Sequence, residues 1–210
     1  MTQATFDLIF DGSAVRDGEI DVTELAPALL ALGQAVKAAG RIVVGPEADL
    51  SLKVRAHHEG SFRVLLTAVA SGEVGLAWSI IRDFYKSDDG QAAKAVVETL
   101  VAGGTVAAVV GGGAIWLIKK LRGKKIDKEE VVGPNQVKVN VDGVEIVVSM
   151  TALQVSRDPA TRAALEKLVV EPLSKDGIDE IRLVTPEGSV SIDKSEADYF
   201  RASANVDDEF

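Results

Sequence analysis

The sequence predicts an α+β fold: two small α+β lobes built on β-hairpins, flanking one central glycine-rich transmembrane helix. Three observations predict it. Apolar and polar residues alternate in short segments on both sides of the chain. Capped, helix-spaced segments lie between those strands. Between Thr99 and Ile118 run twenty consecutive residues without a charge, TLVAGGTVAAVVGGGAIWLI, followed at once by KKLRGKK. The predicted units are an N-terminal lobe over residues 1–90, the glycine-rich helix with its basic flank over 91–125, and a C-terminal lobe over 134–210 with an acidic tail. With 210 residues, 47% hydrophobic and 26% charged, the composition is that of a folding chain.

In chain order, Thr5 to Phe10 reads as the first strand. Asp21 with Glu24 resembles a capping box opening a helix that runs to about Ala39, with Gly40 as its stop and Leu25, Leu29, Leu32 and Val36 along its apolar face. Leu50, Leu52, Val54 and Ala56 alternate with polar residues, and Phe62, Val64 and Leu66 resume the pattern after His57-His58-Glu59-Gly60. These segments predict a hairpin. Ser71 to Lys86 reads as an amphipathic helix. After the basic cluster, Gly133-Pro134-Asn135 marks a boundary. Val137 to Val141, Asp142-Gly143 and Val144 to Val148 give the clearest hairpin, because Asp-Gly supplies the positive φ angles of a tight turn. Asp158-Pro159 opens a helix that Glu171-Pro172 ends, a last hairpin joins Ile178–Thr185 to Ser189–Asp193, and Ser195 with Asp198 caps a short turn before the acidic end, Val206 to Phe210.

The central run has the length of a membrane span, since twenty helical residues rise about 30 Å. Trp116, Lys119, Lys120, Arg122, Lys124 and Lys125 sit at one end, where an indole and snorkelling cations favour a membrane interface. Gly103, Ala107 and Gly111 recur at every fourth position, and Gly104, Ala108 and Gly112 repeat the spacing one residue on. Such a ridge lets helices pack closely in lipid and predicts a homo-oligomer. The competing reading is a buried helix of a water-soluble core, broken at Gly111-Gly112-Gly113 into two pieces. Glycine and alanine dilute the run, and its eight aliphatic residues each favour insertion by only about 0.3–0.6 kcal/mol.

Charge and composition narrow the chemistry. The 32 acidic residues against 23 Lys and Arg give a net charge of −9, which disfavours capture of duplex nucleic acid by the surface as a whole. There is no cysteine, hence no disulfide and no thiolate metal site. His57 and His58 are the only histidines; being adjacent, they do not form a metal clamp. No phosphate-loop or nucleophile-elbow motif is present. The reading is a non-enzyme without cofactor or metal. Lys53, Arg55 and Arg63 of the first hairpin form a candidate cationic face for an anionic ligand or partner, with a solvated strand face as the alternative. Residues 1–7 carry no secretory signal, so synthesis is expected to begin in the cytoplasm. The basic cluster would keep the C-terminal lobe on the cytoplasmic side of a bacterial inner membrane, unless the chain stays cytoplasmic before activation.

Gly60-Ser61-Phe62, the glycine-rich run ending in KKLRGKK, RDPATRAALEKLVVEPL over 157–173, GIDEI over 177–181 and EADYF over 196–200 together resemble a set of small bacterial proteins of mobile elements and defence loci. The overall plan is also similar to the membrane effector of Hailong-type antiphage systems. That resemblance implies a channel- or pore-forming homo-oligomer whose soluble lobes sense a nucleotidyltransferase partner or its oligonucleotide product; it carries over no ligand residue. The expected function is therefore a membrane effector of antiphage defence, and the alternative is a soluble homo-oligomeric binding or scaffold protein in which residues 92–121 form a central packed helix.

Overall fold

Strand β1 (Thr2–Asp11) alternates apolar and polar residues over nearly its whole length, and it accepts partners on both edges. The computed structural model describes residues 2–15, 17–47, 49–55, 63–71, 92–101, 112–186 and 188–202; at 2, 3, 55 and 63–71 the description is of the backbone. On one edge β1 pairs antiparallel with β3 (Arg63–Ser71), which pairs in turn with β2 (Asp49–Arg55). On the other edge it pairs with β7 (Glu180–Thr185), which forms a hairpin with β8 (Gly188–Asp193). The five-stranded order is β2-β3-β1-β7-β8. The N- and C-terminal segments, expected as separate lobes, thus share one sheet. Its fusion point is a pair of glycines: a Cβ at Gly12 (φ +145°) would lie 2.2 Å from the Gly177 carbonyl oxygen, which accepts a 2.8 Å hydrogen bond from the Ala14 amide.

One face of this sheet is apolar in β1, β7 and β8. Phe6, Leu8 and Phe10 of β1 align with Leu183 and Ile181 of β7, then Val190 and Ile192 of β8. Packed with this row are α1 (Val22–Val43), α2 (Ala92–Val101) and α5 (Pro159–Leu173). Asp21 caps α1, its carboxylate accepting from the Thr23 amide at 2.7 Å and the Thr23 hydroxyl at 2.6 Å. Leu32 and Val36 are buried as their spacing requires, and Leu25 and Leu29 pack at the margin. The helix does not stop at Gly40. It continues to Val43, and the chain turns at Gly45 (φ +132°), whose amide bonds back to the Gly40 carbonyl. Gly40 serves packing instead, because a Cβ there would sit 1.8 Å from Leu50 Cδ1 of β2.

A second, smaller sheet stands beside the first. Strands β4 (Lys128–Gly133), β5 (Gln136–Val141) and β6 (Val144–Ser149) form an antiparallel meander in that order. Asp142 (φ 51°) and Gly143 (φ 79°) make the tight turn predicted from Asp-Gly. Gly133-Pro134-Asn135, expected as a unit boundary, is instead the turn between β4 and β5, and β4 was not foreseen. Nor was α4 (Met150–Arg157), capped by Ser149, whose hydroxyl accepts from the Ala152 amide at 2.9 Å. Asp158 caps α5 through the Thr161 amide at 2.7 Å, and Pro159 stands at its start as predicted. The last turn is a 3-10 helix, Lys194–Phe200, with its capping box formed by Asp193 and Glu196 rather than by Ser195 and Asp198. The turn at His57 and His58, the predicted helix over 71–86 and the acidic end over 206–210 lie outside the described residues, except Ser71 in β3.

The middle of the chain departs most from expectation. A single helix through 91–125 is interrupted: Gly113 is extended (φ −71°, ψ −173°), and a separate helix α3 (Ala114–Leu121) starts after it. Among the described residues no helix is long and apolar enough to cross a membrane.

Candidate functional site

Four features carry the candidate chemistry. The first is the small-residue ridge. Gly103, Gly104, Ala107, Ala108 and Gly111 lie outside the described residues, and Gly112 is buried. At both described ends the run is enclosed by the chain's own core. Leu100, Val101, Ala114, Ile115 and Ile118 are 0–1% exposed and belong to one cluster with Phe6, Leu8, Leu32 and Leu168. Glycine has a visible reason at the junction: a Cβ on Gly113 would stand 2.6 Å from the Thr99 carbonyl oxygen and 2.8 Å from that of Glu98. There the start of α3 meets the end of α2 backbone to backbone, a contact that only glycine permits.

The second feature is the basic flank, which the fold divides. Trp116 is half-buried at the edge of a small cluster formed by Leu117, Leu121, Val137, Val139, Val141, Val148 and Leu153, and Lys120 lies over its ring, 5.5 Å from the centroid. Lys119 turns inward, bonding the Ser191 carbonyl and pairing with Glu196 at 2.9 Å. It ties α3 to the five-stranded sheet. Arg122 adopts the left-handed conformation (φ 52°) that ends α3, and Lys124 pairs with Asp142 of the β5–β6 turn. Lys125 is exposed and, with Lys124, Ile118, Leu121, Ile126, Ser156 and Arg157, borders a shallow recess with room for about one water molecule. Lys119 and Lys124 are therefore ion-pair partners within the chain.

Third is the cationic hairpin. Lys53 is exposed and opposite Thr67, Arg55 is opposite Leu65, and Arg63 is opposite Ile9 of β1. The antiparallel register of β2 and β3 puts the three positions in the same phase. The side chains at 55 and 63 lie outside the description, so the stripe's geometry does too.

The fourth feature, the outer strand β4, had no place in the sequence reading. Val131 is 69% exposed and Val132 46%, on the strand that is outermost in the small sheet among the described residues. Their charged neighbours are neutralised within the chain: Glu129 pairs with Arg157, and Glu130 with Lys138 at 3.3 Å. Lys138 also meets Glu145 of β6 at 3.4 Å, and hydrogen bonds to Glu130 and then Glu145 hold its ammonium above its ordinary range. The signal that could have revealed β4 is the Gly-Pro-Asn turn itself, which needs a strand on each side.

Elsewhere polar burial serves the fold. Burial lowers the Arg162 guanidinium's pKa and the nearby Glu166 opposes that shift. Arg162 donates to the Tyr199 carbonyl at 3.0 Å and to that of Arg201, while Glu166 accepts from the Ala202 amide at 3.0 Å. This clamp fastens the terminal 3-10 helix to α5. Among the described residues no group of three or more His, Asp or Glu is placed to hold a metal. The chain matches no protein-family model, no curated protein and no solved structure.

Proposed function

We propose that this chain is a non-catalytic, self-associating binding or scaffold protein in which residues 92–121 serve as packed core. One observation supports it above the others: both described ends of the uncharged run are enclosed among the chain's own strands and helices. Magnitudes point the same way. Burying Leu100, Val101, Ile115, Leu117 and Ile118 is worth about 1.5–3 kcal/mol each relative to exposure. Bilayer insertion of all eight aliphatic residues of the run returns about 2–5 kcal/mol in sum, at about 0.3–0.6 each. Unpacking α2 and α3 into lipid would need a trigger that supplies the difference.

The second reading is the channel-forming effector of an antiphage system, held closed by the rest of the chain and by a nucleotidyltransferase partner or its oligonucleotide product. The uncharged run of twenty residues followed by a basic cluster favours it. Two measurements separate the readings. The scaffold reading expects purified chain to sediment as an oligomer in detergent-free buffer and to leave dye inside anionic vesicles. Recovery only in the membrane fraction, with dye release that grows with added chain, would overturn it and support the effector.

A further inference from the structure

Resting on the self-association just proposed, we infer that β4 is the surface through which two copies join, edge to edge, in an antiparallel pair centred on Val131.

The small sheet is covered unevenly. Val137 and Val139 of β5 are buried with Leu117, Leu121 and Leu153, whereas Val131, directly opposite Val137 in the ladder, is 69% exposed. The helices cover β5 and stop short of β4. An edge strand also leaves alternate backbone N–H and C=O groups without a ladder partner, and those groups template another strand. Natural edges are commonly blunted by charged side chains, bulges and proline, and β4 carries a bulge before Pro134 as well as charge. Here the charges cancel: Lys128, Lys138 and Arg157 balance Glu129, Glu130 and Glu145, and the last two bases are paired with the three acids. In a chain of net charge −9 this edge is locally neutral, so two copies meet on it without the repulsion that the rest of the surface supplies.

Register then selects one pairing. A two-fold axis normal to the sheet keeps the two inner faces on one side, so opposed residue numbers sum to an even value. Centring the axis on Glu130 opposes two copies of that carboxylate, and centring it on Glu129 does the same. Centring it on Val131 opposes valine to valine and sets each Glu130 beside Val132 of the second copy. The bulge between Val131 and Gly133, with Pro134 after it, ends the strand and limits pairing to this short stretch. Two six-residue strands make a small interface, of the class that associates weakly and reversibly.

The absence of native cysteine gives a direct test. Directly opposed residues of an antiparallel pair have Cα atoms about 4.5–5.5 Å apart, within the range a disulfide spans. Under glutathione disulfide, Val131→Cys is expected to convert to a covalent dimer, and Glu130→Cys and Val144→Cys to do so about tenfold more slowly or not at all. In sedimentation, Val131→Lys should weaken the dimer about tenfold or more, while Val144→Lys, on the opposite edge and 61% exposed, should match the parent chain. Unchanged circular dichroism and melting confirm that these exposed substitutions leave the fold intact. A parent oligomer that Val131→Lys does not weaken, with no preference for cysteine at 131, would overturn this interface and leave self-association standing. A parent chain that sediments as a monomer at every concentration would overturn both, including the case in which β4 captures a foreign extended peptide instead.

Discussion

The five-stranded sheet and the three-stranded meander are written in the same alternating code and reach opposite degrees of cover. In the large sheet, β1 has partners on both edges, and its apolar row Phe6, Leu8, Phe10 lies beneath α1, α2 and α5. In the meander, the apolar row shades from buried Val137 to bare Val131 across one strand spacing. Alternation therefore states which residues share a face, and the reach of the helices decides whether that face is dry. The large sheet recruits helices from three separate stretches of sequence. Among the described residues the meander has only α3 and α4, two helices of eight residues each.

The strongest way to break this comparison is to attack the helix the large core depends on. Leu100→Ala removes a fully buried side chain of α2 and is expected to destabilise the chain by about 3 kcal/mol, measured by urea unfolding. A loss below about 0.5 kcal/mol, the level of ordinary surface changes, would mean that α2 is peripheral to the core. Gly113→Ala comes next. Its Cβ meets the carbonyls of Thr99 and Glu98, and backbone yields less readily than the tip of a side chain, so a loss of about 2–3 kcal/mol is expected. The same substitution would be nearly neutral if the glycines mattered only for contacts between chains, so the measurement also weighs the two functional readings.

How much of this was legible depended on whether the determining contact was local. The Asp142-Gly143 hairpin and the Asp158-Pro159 helix start were readable because each rests on residues within a few positions of one another, and the β2–β3 pairing because it joins two neighbouring alternating segments. The pairing of β1 with β7 joins residues 169 to 177 positions apart, and no local pattern announces it. Gly40 reads as a stop by composition; only the approach of Leu50 from another strand reveals it as a packing site. The glycine-rich run fails as a single helix for a related reason. Hydropathy counts charges, and a segment buried on all sides by protein has the same count as one buried by lipid. Of the candidate site residues, Lys119 looked like an interfacial cation, and its inward pairing with Glu196 needed the return of a helix 75 positions later.

The comparison sharpens when the meander alone is weakened. Val139→Ala opens the small cluster and is expected to cost about 2 kcal/mol, felt locally. Native-state hydrogen exchange should show faster opening of β5 and β6 amides with those of β1 and β7 unchanged. Equal acceleration in both sheets would mean that they unfold as one cooperative unit, and that the bare edge of β4 is not a sign of a looser region.

The smallest expected effect concerns the ion pairs that hold β4 to its sheet. Lys138 reaches Glu130 on one neighbouring strand and Glu145 on the other, and its raised pKa means the folded chain binds that proton more tightly than the unfolded chain does. The contribution is thus complete below the ordinary value of 10.5 and fades as pH rises above it through the folded value. Both carboxylates lie at the surface and the lysine is partly exposed, so salt screens the pairs. Lys138→Met should lower the melting midpoint slightly at neutral pH in dilute buffer and not at all in about 1 M salt, where the Debye length is about 3 Å. An equal loss at both salt concentrations would reassign the effect to packing of the lysine stem across β5. The edge would then rest on apolar contact, as the covered sheet does, and the electrical neutrality of β4 would be incidental to its stability.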